Sequence, residues 1–214
     1  MLTKKKVIDL ARSLVGYKGK RNPTDNLYDM DAPNGTGKWN RFAADLDALG
    51  LYTEGGYYNG RKNGYDWCCV FIDWLFWEAA EHDVEKAKAV KPQSGGGCGA
   101  GVYWARQAYG ADVWKAPTTL DGTLIGTQIF YQDHTGSDVH TGIVVDVNYD
   151  NDTLWTVEGN WGDKVVMREV SINDNSIKCF GVINYDSEPV PEPVPDEWET
   201  LFENESMRIQ RRVK

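Results

Sequence analysis

Four side chains in this 214-residue sequence belong to types that together can attack an amide or ester carbonyl: Cys68, His140, Glu158 and Asn160. In such chemistry a cysteine thiolate is the nucleophile, a histidine accepts its proton, and a third group orients the histidine. The chain has four cysteines and three histidines. The chemistry therefore requires a fold that brings one cysteine and one histidine within hydrogen-bond distance.

Cys68 and Cys69 lie where a polar turn meets an apolar segment. We expect a buried helix from Asp66 to about His82, with the Asp66 carboxylate as its N-cap. Apolar residues at helical spacing form one face: Trp67, Val70, Phe71, Trp74 and Leu75. Both cysteines would then lie in the first turn, where the helix dipole favours a thiolate. An inert core thiol is the alternative, since free cysteines are often buried.

His140 is the histidine best placed to serve as the base. If the helix is continuous, His82 lies roughly 21 Å along its axis from Cys68, which is too far. His134 belongs to a polar loop, whereas His140 begins the β-prone run 140–147. A strand end is rigid, and Gly142 would allow a substrate or another backbone to come close.

The orienting group is expected on the strand next to His140. Residues 150–152 read as a hairpin turn, which returns residues 154–160 alongside 140–148. This brings Glu158 and Asn160 close to His140, and either side chain can accept a hydrogen bond from the far imidazole nitrogen. The sequence does not choose between them.

Helices are predicted first and strands second. Helical patterns cover residues 4–15, 39–49, 66–82 and 83–91, and β-prone runs cover 128–131, 140–147, 154–158, 165–172 and 179–185. The strands read as an antiparallel meander. Helices first and an antiparallel sheet second is the order of an α+β fold. The candidate nucleophile then lies at the start of a buried helix, and the candidate base lies in the C-terminal sheet.

Composition limits the classes of partner. The net charge of −9 argues against nucleic acid as the main partner. No apolar run is long enough to span a membrane, and the lysine-rich start lacks the apolar stretch of a signal peptide. The cysteines show no C-x-x-C spacing, so neither a zinc knuckle nor a disulfide framework is expected.

Three parts of the chain are distinguished by composition. Residues 1–185 form the expected catalytic domain, and residues 186–197 are a spacer rich in proline and glutamate. Residues 198–214 are acidic first and basic last, which favours a short helix or the beginning of a further module.

Three motifs in this order resemble the CHAP domain, the cysteine- and histidine-dependent amidohydrolase/peptidase. They are Tyr65–Phe71, His140–Val144 and Val157–Asn160, supported by Ala44–Asp47, Tyr58–Tyr65 and Gln128–Phe130. The resemblance covers roughly residues 1–185 and extends to endolysins of phages that infect Gram-positive bacteria. It implies a papain-like fold related to NlpC-type enzymes.

The resemblance also implies a reaction, namely cleavage of an amide bond in peptidoglycan. Cys68 would be the nucleophile and His140 the base, with Glu158 and Asn160 completing the site. The bond would be either N-acetylmuramoyl-L-alanine or one within the peptides. NlpC-type peptidases usually use a second histidine as the third member, and none follows His140. A non-catalytic module that binds or assembles the cell wall is the alternative from another class.

Trp67 and Trp161 flank the proposed site residues in sequence. Each is expected either to line a substrate groove or to pack in the core. Without a signal peptide, such a protein would be made in the cytoplasm of the bacterial host and act on the wall after release.

No cofactor is expected, with calcium as the open alternative. Asp29, Asp31 and Asn34–Gly35 resemble part of a calcium loop, but Pro33 occupies the fifth position and no glutamate stands at the twelfth. Some relatives of the CHAP family bind calcium through an Asp-x-Asp segment before the cysteine. Residues 61–66 do not carry that pattern.

Overall fold

The computed structural model describes residues 1–30, 35, 37–50, 61–91, 114–115, 120 and 122–187, with the backbone of 198–204 and 207–212. The helices are α1 (Lys4–Ser13), α2 (Arg41–Ala48), α3 (Cys68–Ala79) and α4 (Val84–Val90). The strands are β1 (Trp114–Lys115), β2 (Gln128–Gln132), β3 (Asp138–Asn148), β4 (Thr153–Glu158), β5 (Val166–Ser171), β6 (Ile177–Gly181), β7 (Trp198–Asn204) and β8 (Met207–Arg212). A 3-10 turn covers Gly122–Leu124. The mixed helix and sheet composition expected from the sequence is confirmed.

Six strands form one antiparallel sheet in the order β1-β6-β2-β3-β4-β5. Strands β2 to β5 are a meander, as predicted, and the β3–β4 hairpin pairs Ile143 with Val157. The prediction for the last strand was wrong, because β6 does not continue the meander but pairs with β2. Residues 128–131 of β2 are buried on both faces, which suits a strand inside a sheet.

Helix α3 lies at the centre of the larger hydrophobic core. All of its residues except Glu78 are buried, and it packs against α1, α2 and β3. The ring of Phe42 on α2 lies 5.0 Å from the rings of both Phe71 and Trp74. Burial on every face follows from the apolar sequence of the helix. Among the described helices, none is long and apolar enough to cross a bilayer.

The sheet separates two hydrophobic clusters. Ile143, Val145 and Val157 face the helices, while Val144 and Leu154 belong to a second cluster on the other side. This division follows from the alternation of side chains along a strand. Residues 141–145 of β3 are buried on both faces, and the strand packs against α3.

The predicted boundaries of α3 are corrected at both ends. Asp66 is not the N-cap, since the helix begins at Cys68, and the capping position, Trp67, makes no side-chain capping bond. The helix ends at Ala79 rather than near His82. Glu81 and His82 have φ angles of 61° and 68°, in the left-handed region that a helix cannot continue through.

The C-terminal segment is a hairpin and not the short helix that its charge pattern suggested. Strands β7 and β8 pair antiparallel, with Glu199 opposite Arg211 and Glu203 opposite Arg208. Most of the proline-rich spacer lies outside the described residues.

Candidate active site

Cys68 and His140 meet where α3 packs against β3. Cys68 is the first residue of α3 and is 6% exposed, and its side chain forms a hydrogen bond with the His140 side chain. His140 lies near the start of β3 with only 13% of its side chain exposed. The structure thus brings together the pair that the sequence singled out. His82, by contrast, follows the end of α3, and its Nε2 lies 2.9 Å from Oε2 of Glu78 in the last turn of that helix.

Glu158 orients His140 from the neighbouring strand. Its Oε2 lies 3.0 Å from His140 Nε2, and its side chain is completely buried at the end of β4. Because Nε2 faces the carboxylate, Nδ1 is the imidazole nitrogen left for the cysteine. The arrangement is therefore a chain of hydrogen bonds from Glu158 through His140 to Cys68.

The Glu158 carboxylate accepts four hydrogen bonds, two on each oxygen. Oε1 accepts from the Tyr131 and Thr156 hydroxyl groups, both at 2.7 Å. Oε2 accepts from His140 and from Arg168 Nη1, the latter at 2.8 Å. A buried carboxylate is tolerated only when its lone pairs are satisfied in this way. The four donors fix both the ionisation and the orientation of Glu158.

The ionisation of the pair follows from these contacts. Burial alone would lower the pKa of His140, but the hydrogen bonds to Cys68 and Glu158 outweigh it and raise the pKa to about 9. Burial would raise the pKa of Glu158, yet His140, Tyr131 and Arg168 together lower it. At neutral pH the site therefore holds an imidazolium between a carboxylate and a thiol, which favours the thiolate.

Two glycines create the space that this geometry requires. A Cβ built on Gly142 of β3 would lie 2.6 Å from Glu158 Cγ, so the glycine makes room for the orienting carboxylate. A Cβ on Gly159 would lie 2.5 Å from the Cβ of Phe71 in α3. The end of β4 is thus packed directly against the helix that carries the cysteine. The close approach that we expected at Gly142 is made by the Glu158 side chain and, at 3.1 Å from the same Cβ position, by the backbone oxygen of Val157.

Asn160 contacts a different part of the site from Glu158. Its φ is 64°, and its Nδ2 donates to Asp66 Oδ1 at 2.8 Å. Lys38 Nζ donates to the same oxygen at 2.6 Å. The Lys38 bond is the largest influence on Asp66 and lowers its pKa; burial opposes it, and Asn160 adds to it. Of the two candidates for orienting His140, Glu158 makes the contact, while Asn160 holds the residue two positions before Cys68.

The two tryptophans differ in their surroundings. Trp67 is 0% exposed, lies 5.5 Å from the ring of Phe42, and donates from Nε1 to Asp163 Oδ1 at 2.9 Å. Of the two expectations for Trp67, a place in the core is therefore the one that the structure shows. Trp161 is 46% exposed, and its ring lies edge-on to His140 with a centroid distance of 5.5 Å. Of the two tryptophans, Trp161 is the one that lies beside His140.

One loop connects both halves of the site. Residues 160–163 follow β4 and include three residues with positive φ: Asn160, Gly162 and Asp163. From this loop Asn160 binds Asp66 and Asp163 binds Trp67, the two residues that precede Cys68. The same loop places Trp161 against His140. The loop therefore ties the start of α3 to the base, in place of a side-chain cap on the helix.

Tyr131, Thr156 and Arg168 were not identified from the sequence. The strand register could have indicated them: Tyr131 lies directly opposite His140, and Arg168 lies opposite Thr156. Thr156 is two residues before Glu158 and so faces the same side of β4. The missing information was which strands pair, since hydroxyl and guanidinium groups alone do not indicate such a role.

The residues of the possible calcium loop are only partly described, since 31–34 lie outside the described ranges. The backbone oxygen of Asp29 accepts a hydrogen bond from Lys20 Nζ at 2.6 Å. Elsewhere in the described ranges, no group of three or more His, Cys, Asp and Glu side chains is arranged to hold a metal ion. Cys68, Cys69 and Cys179 are all buried.

Comparisons with known proteins assign neither a family nor a function to this site. A scan against family models, a search of curated proteins and a search of solved structures each returned no match for this chain.

Proposed function

We propose that this protein is a cysteine-dependent amidase or endopeptidase that cleaves an amide bond of bacterial peptidoglycan. The observation that carries the proposal is the chain of hydrogen bonds from buried Glu158 through His140 to Cys68, at the start of a buried helix. This arrangement contains a nucleophile, a base and an orienting carboxylate, the three parts that acyl transfer by a thiol requires.

The fold that we infer is papain-like. A helix that begins with the nucleophile packs against an antiparallel sheet that carries the base, and the described helices 4–13, 41–48, 68–79 and 84–90 all precede it in sequence. The CHAP-like motifs Tyr65–Phe71, His140–Val144 and Val157–Asn160 converge on this one site. Their convergence supports peptidoglycan as the substrate, because that is the substrate the resemblance implies.

The first half of the reaction forms a thioester. The Cys68 thiolate attacks the carbonyl carbon of the scissile amide, and the negative charge moves to the carbonyl oxygen. Backbone N–H groups at the start of α3, including that of Cys68, stabilise this oxyanion. The tetrahedral intermediate then collapses as His140 Nδ1 gives its proton to the leaving amine nitrogen. The C–N bond breaks, and the acyl group remains on the Cys68 sulfur.

The second half hydrolyses the thioester. His140, now neutral, accepts a proton from water, and the resulting hydroxide attacks the thioester carbonyl. The C–S bond breaks, a carboxylic acid leaves, and the thiolate–imidazolium pair is restored. Throughout, Glu158 holds Nε2–H and stabilises the imidazolium, so that the imidazole cannot rotate away from the sulfur.

The site of action that we propose is the cell wall, reached after release from the cytoplasm of the bacterial host, as for a phage endolysin. The amide is either the N-acetylmuramoyl-L-alanine bond or a bond within the wall peptides. Both suit the same catalytic pair, because the shape of the surrounding pocket selects the substrate.

Histidine variants test the proposal against a non-catalytic wall-binding module. Purified Gram-positive peptidoglycan is incubated with the parent, His140→Ala or His134→Ala, and new free amines are quantified. We expect release by the parent and by His134→Ala, and a loss of roughly a hundredfold or more in His140→Ala. If the parent binds walls but releases no amine, and iodoacetamide labels Cys68 no faster than the other thiols, the protein is a binding module.

A further inference from the structure

Arg168 on β5 lies between two aromatic rings beside the catalytic pair. Its guanidinium carbon is 3.6 Å from the ring centroid of Trp161 and 5.9 Å from that of Tyr131. Nη1 of the same group donates to Glu158 Oε2 at 2.8 Å. A planar guanidinium can stack on a ring and donate in its own plane at once, which an ammonium group cannot do.

His140 lies between the same two rings. Its imidazole is stacked on Tyr131 with a centroid distance of 5.7 Å and lies edge-on to Trp161 at 5.5 Å. His140 and Arg168 therefore share both aromatic neighbours and also share one carboxylate oxygen, Glu158 Oε2. A displacement of Arg168 would change the position of that oxygen relative to the imidazole.

We infer that Arg168 is a positioning residue for the reaction. It holds the Glu158 carboxylate against His140 and at the same time supports the inner face of Trp161, whose exposed face meets the substrate. This inference rests on the proposed function. Arg168 acts through Glu158 and Trp161 and does not touch the reacting atoms.

The hydrogen bond from Arg168 also helps to keep Glu158 ionised, after the larger effects of His140 and Tyr131. Among the described residues, the titratable, charged or hydroxyl groups in contact with the Glu158–His140 pair are Cys68 on α3, Tyr131 on β2, Thr156 on β4 and Arg168 on β5, and the loop after β4 adds the ring of Trp161. Of these, Arg168 is the one permanent cation. Removing it raises the pKa of Glu158, so the carboxylate becomes protonated, and the imidazolium loses its partner, at a higher pH than in the parent.

The test compares Arg168→Met and Arg168→Lys with Arg12→Met. Arg12 is a matched control because it also binds a carboxylate, Asp146, at 3.1 Å, outside the catalytic cluster. For Arg168→Met we expect kcat to fall by about tenfold or more and the acidic limb of the kcat/KM profile to move to higher pH. In Arg168→Lys the retained charge restores the position of the limb but not the full kcat. We expect Arg12→Met to match the parent in kcat and in the position of the acidic limb.

A second readout does not need a substrate. The rate at which iodoacetamide modifies Cys68 is measured against pH in a Cys69→Ala background, with Cys68 identified by peptide mass. The acidic limb of this profile is expected to shift upward in Arg168→Met alone. If the parent releases no amine but this shift is present, the positioning role holds and the proposed function fails.

The inference is overturned if Arg168→Met and Arg12→Met give the same kcat and pH profiles. It is also overturned if Arg168→Lys equals the parent in both measurements, because a stacked guanidinium would then be unnecessary. Arg168→Lys keeps the charge and most of the volume, so it gives a decision even if Arg168→Met does not fold.

Discussion

Gly142 and Glu158 face each other across β3 and β4 so closely that a methyl group on Gly142 would lie 2.6 Å from Glu158 Cγ. Atoms do not approach this closely without displacement, and the same methyl would lie 3.1 Å from the Val157 carbonyl oxygen. The absence of a side chain at Gly142 is therefore a condition for the orienting contact with His140.

Substituting Gly142 with alanine tests this relationship. We expect Gly142→Ala to displace the Glu158 side chain from its four donors and to lower kcat/KM by roughly tenfold to a hundredfold. Overpacking costs about 1–3 kcal/mol of the free energy of unfolding. Gly136→Ala is a control for stability only, because Gly136 has φ 82° with open space around it, so only backbone strain is added. An active, unperturbed Gly142→Ala would contradict the packing described.

Replacing Glu158 with glutamine tests the role of the carboxylate at constant size. All four groups around Glu158 donate to it, whereas an amide nitrogen is itself a donor. We therefore expect Glu158→Gln to leave two donors without an acceptor, to cost about 1–3 kcal/mol of folding free energy, and to lower kcat by about a hundredfold. Steady-state kinetics and denaturant unfolding measure the two effects. A fully active Glu158→Gln would exclude Glu158 as the orienting group.

The raised pKa of His140 predicts an alkaline limit for activity. His140 must be protonated to give a proton to the leaving amine, and its pKa is about 9 because of Cys68 and Glu158. We expect kcat/KM to fall as pH rises through about 9, rather than near the ordinary histidine value of about 6.5. A pH profile of amine release checks this, and a descending limb near 6.5 would show that the imidazolium is not stabilised as described.

The same ionisations predict how stability depends on pH. The pKa of His140 is higher in the folded protein than in the unfolded chain, so protonation of His140 stabilises the fold. This stabilisation is fully present below about pH 6.5 and is lost as the pH rises through about 9. The pKa of Glu158 is lower in the folded protein than in the unfolded chain, so ionisation of Glu158 stabilises the fold. This stabilisation is lost as the pH falls below the ordinary pKa range of a glutamate. Urea unfolding across pH should show both slopes in the parent. The alkaline slope should be smaller in His140→Ala, and an unchanged slope would assign it to other groups.

Alanine substitutions of Trp161 and Trp67 are expected to have opposite effects, the first on KM and the second on stability. Trp161 is 46% exposed beside His140, so Trp161→Ala should raise KM several-fold and leave stability nearly unchanged. Trp67 is 0% exposed, and Trp67→Ala should cost about 3–5 kcal/mol of folding free energy. Kinetics and thermal unfolding of the two variants measure this contrast. Equal effects on KM would mean that Trp161 does not contact the substrate.

The sequence predicted that Cys68 and His140 lie together because local patterns determine much of their placement. A buried helix places Cys68 at its start, and the hairpin turn at residues 150–152 returns β4 alongside β3, the strand that carries His140. Those two patterns need no knowledge of distant contacts. They also indicated Glu158 and Asn160 near His140 but did not choose between them; of the two, Glu158 makes the contact with His140.

Contacts between distant residues explain what the sequence did not reveal. Asp66 has the residue type of an N-cap, but Lys38 and Asn160, which are 28 and 94 positions away, bind its carboxylate instead. Arg168 lies on the fifth strand, and its role depends on pairing with β4 and on the loop that carries Trp161. Such contacts depend on the tertiary structure and produce no periodic pattern in the sequence.

The most direct test of the account is mass spectrometry of Gram-positive peptidoglycan after incubation with the parent, Cys68→Ala or Cys69→Ala. Cys68 forms the hydrogen bond with His140, whereas Cys69 is 1% exposed in the core. We predict new free amines, whose masses identify the bond that is cut, in the parent and in Cys69→Ala but not in Cys68→Ala. Release by Cys68→Ala, or by none of the three from walls of several chemical types, would contradict the account.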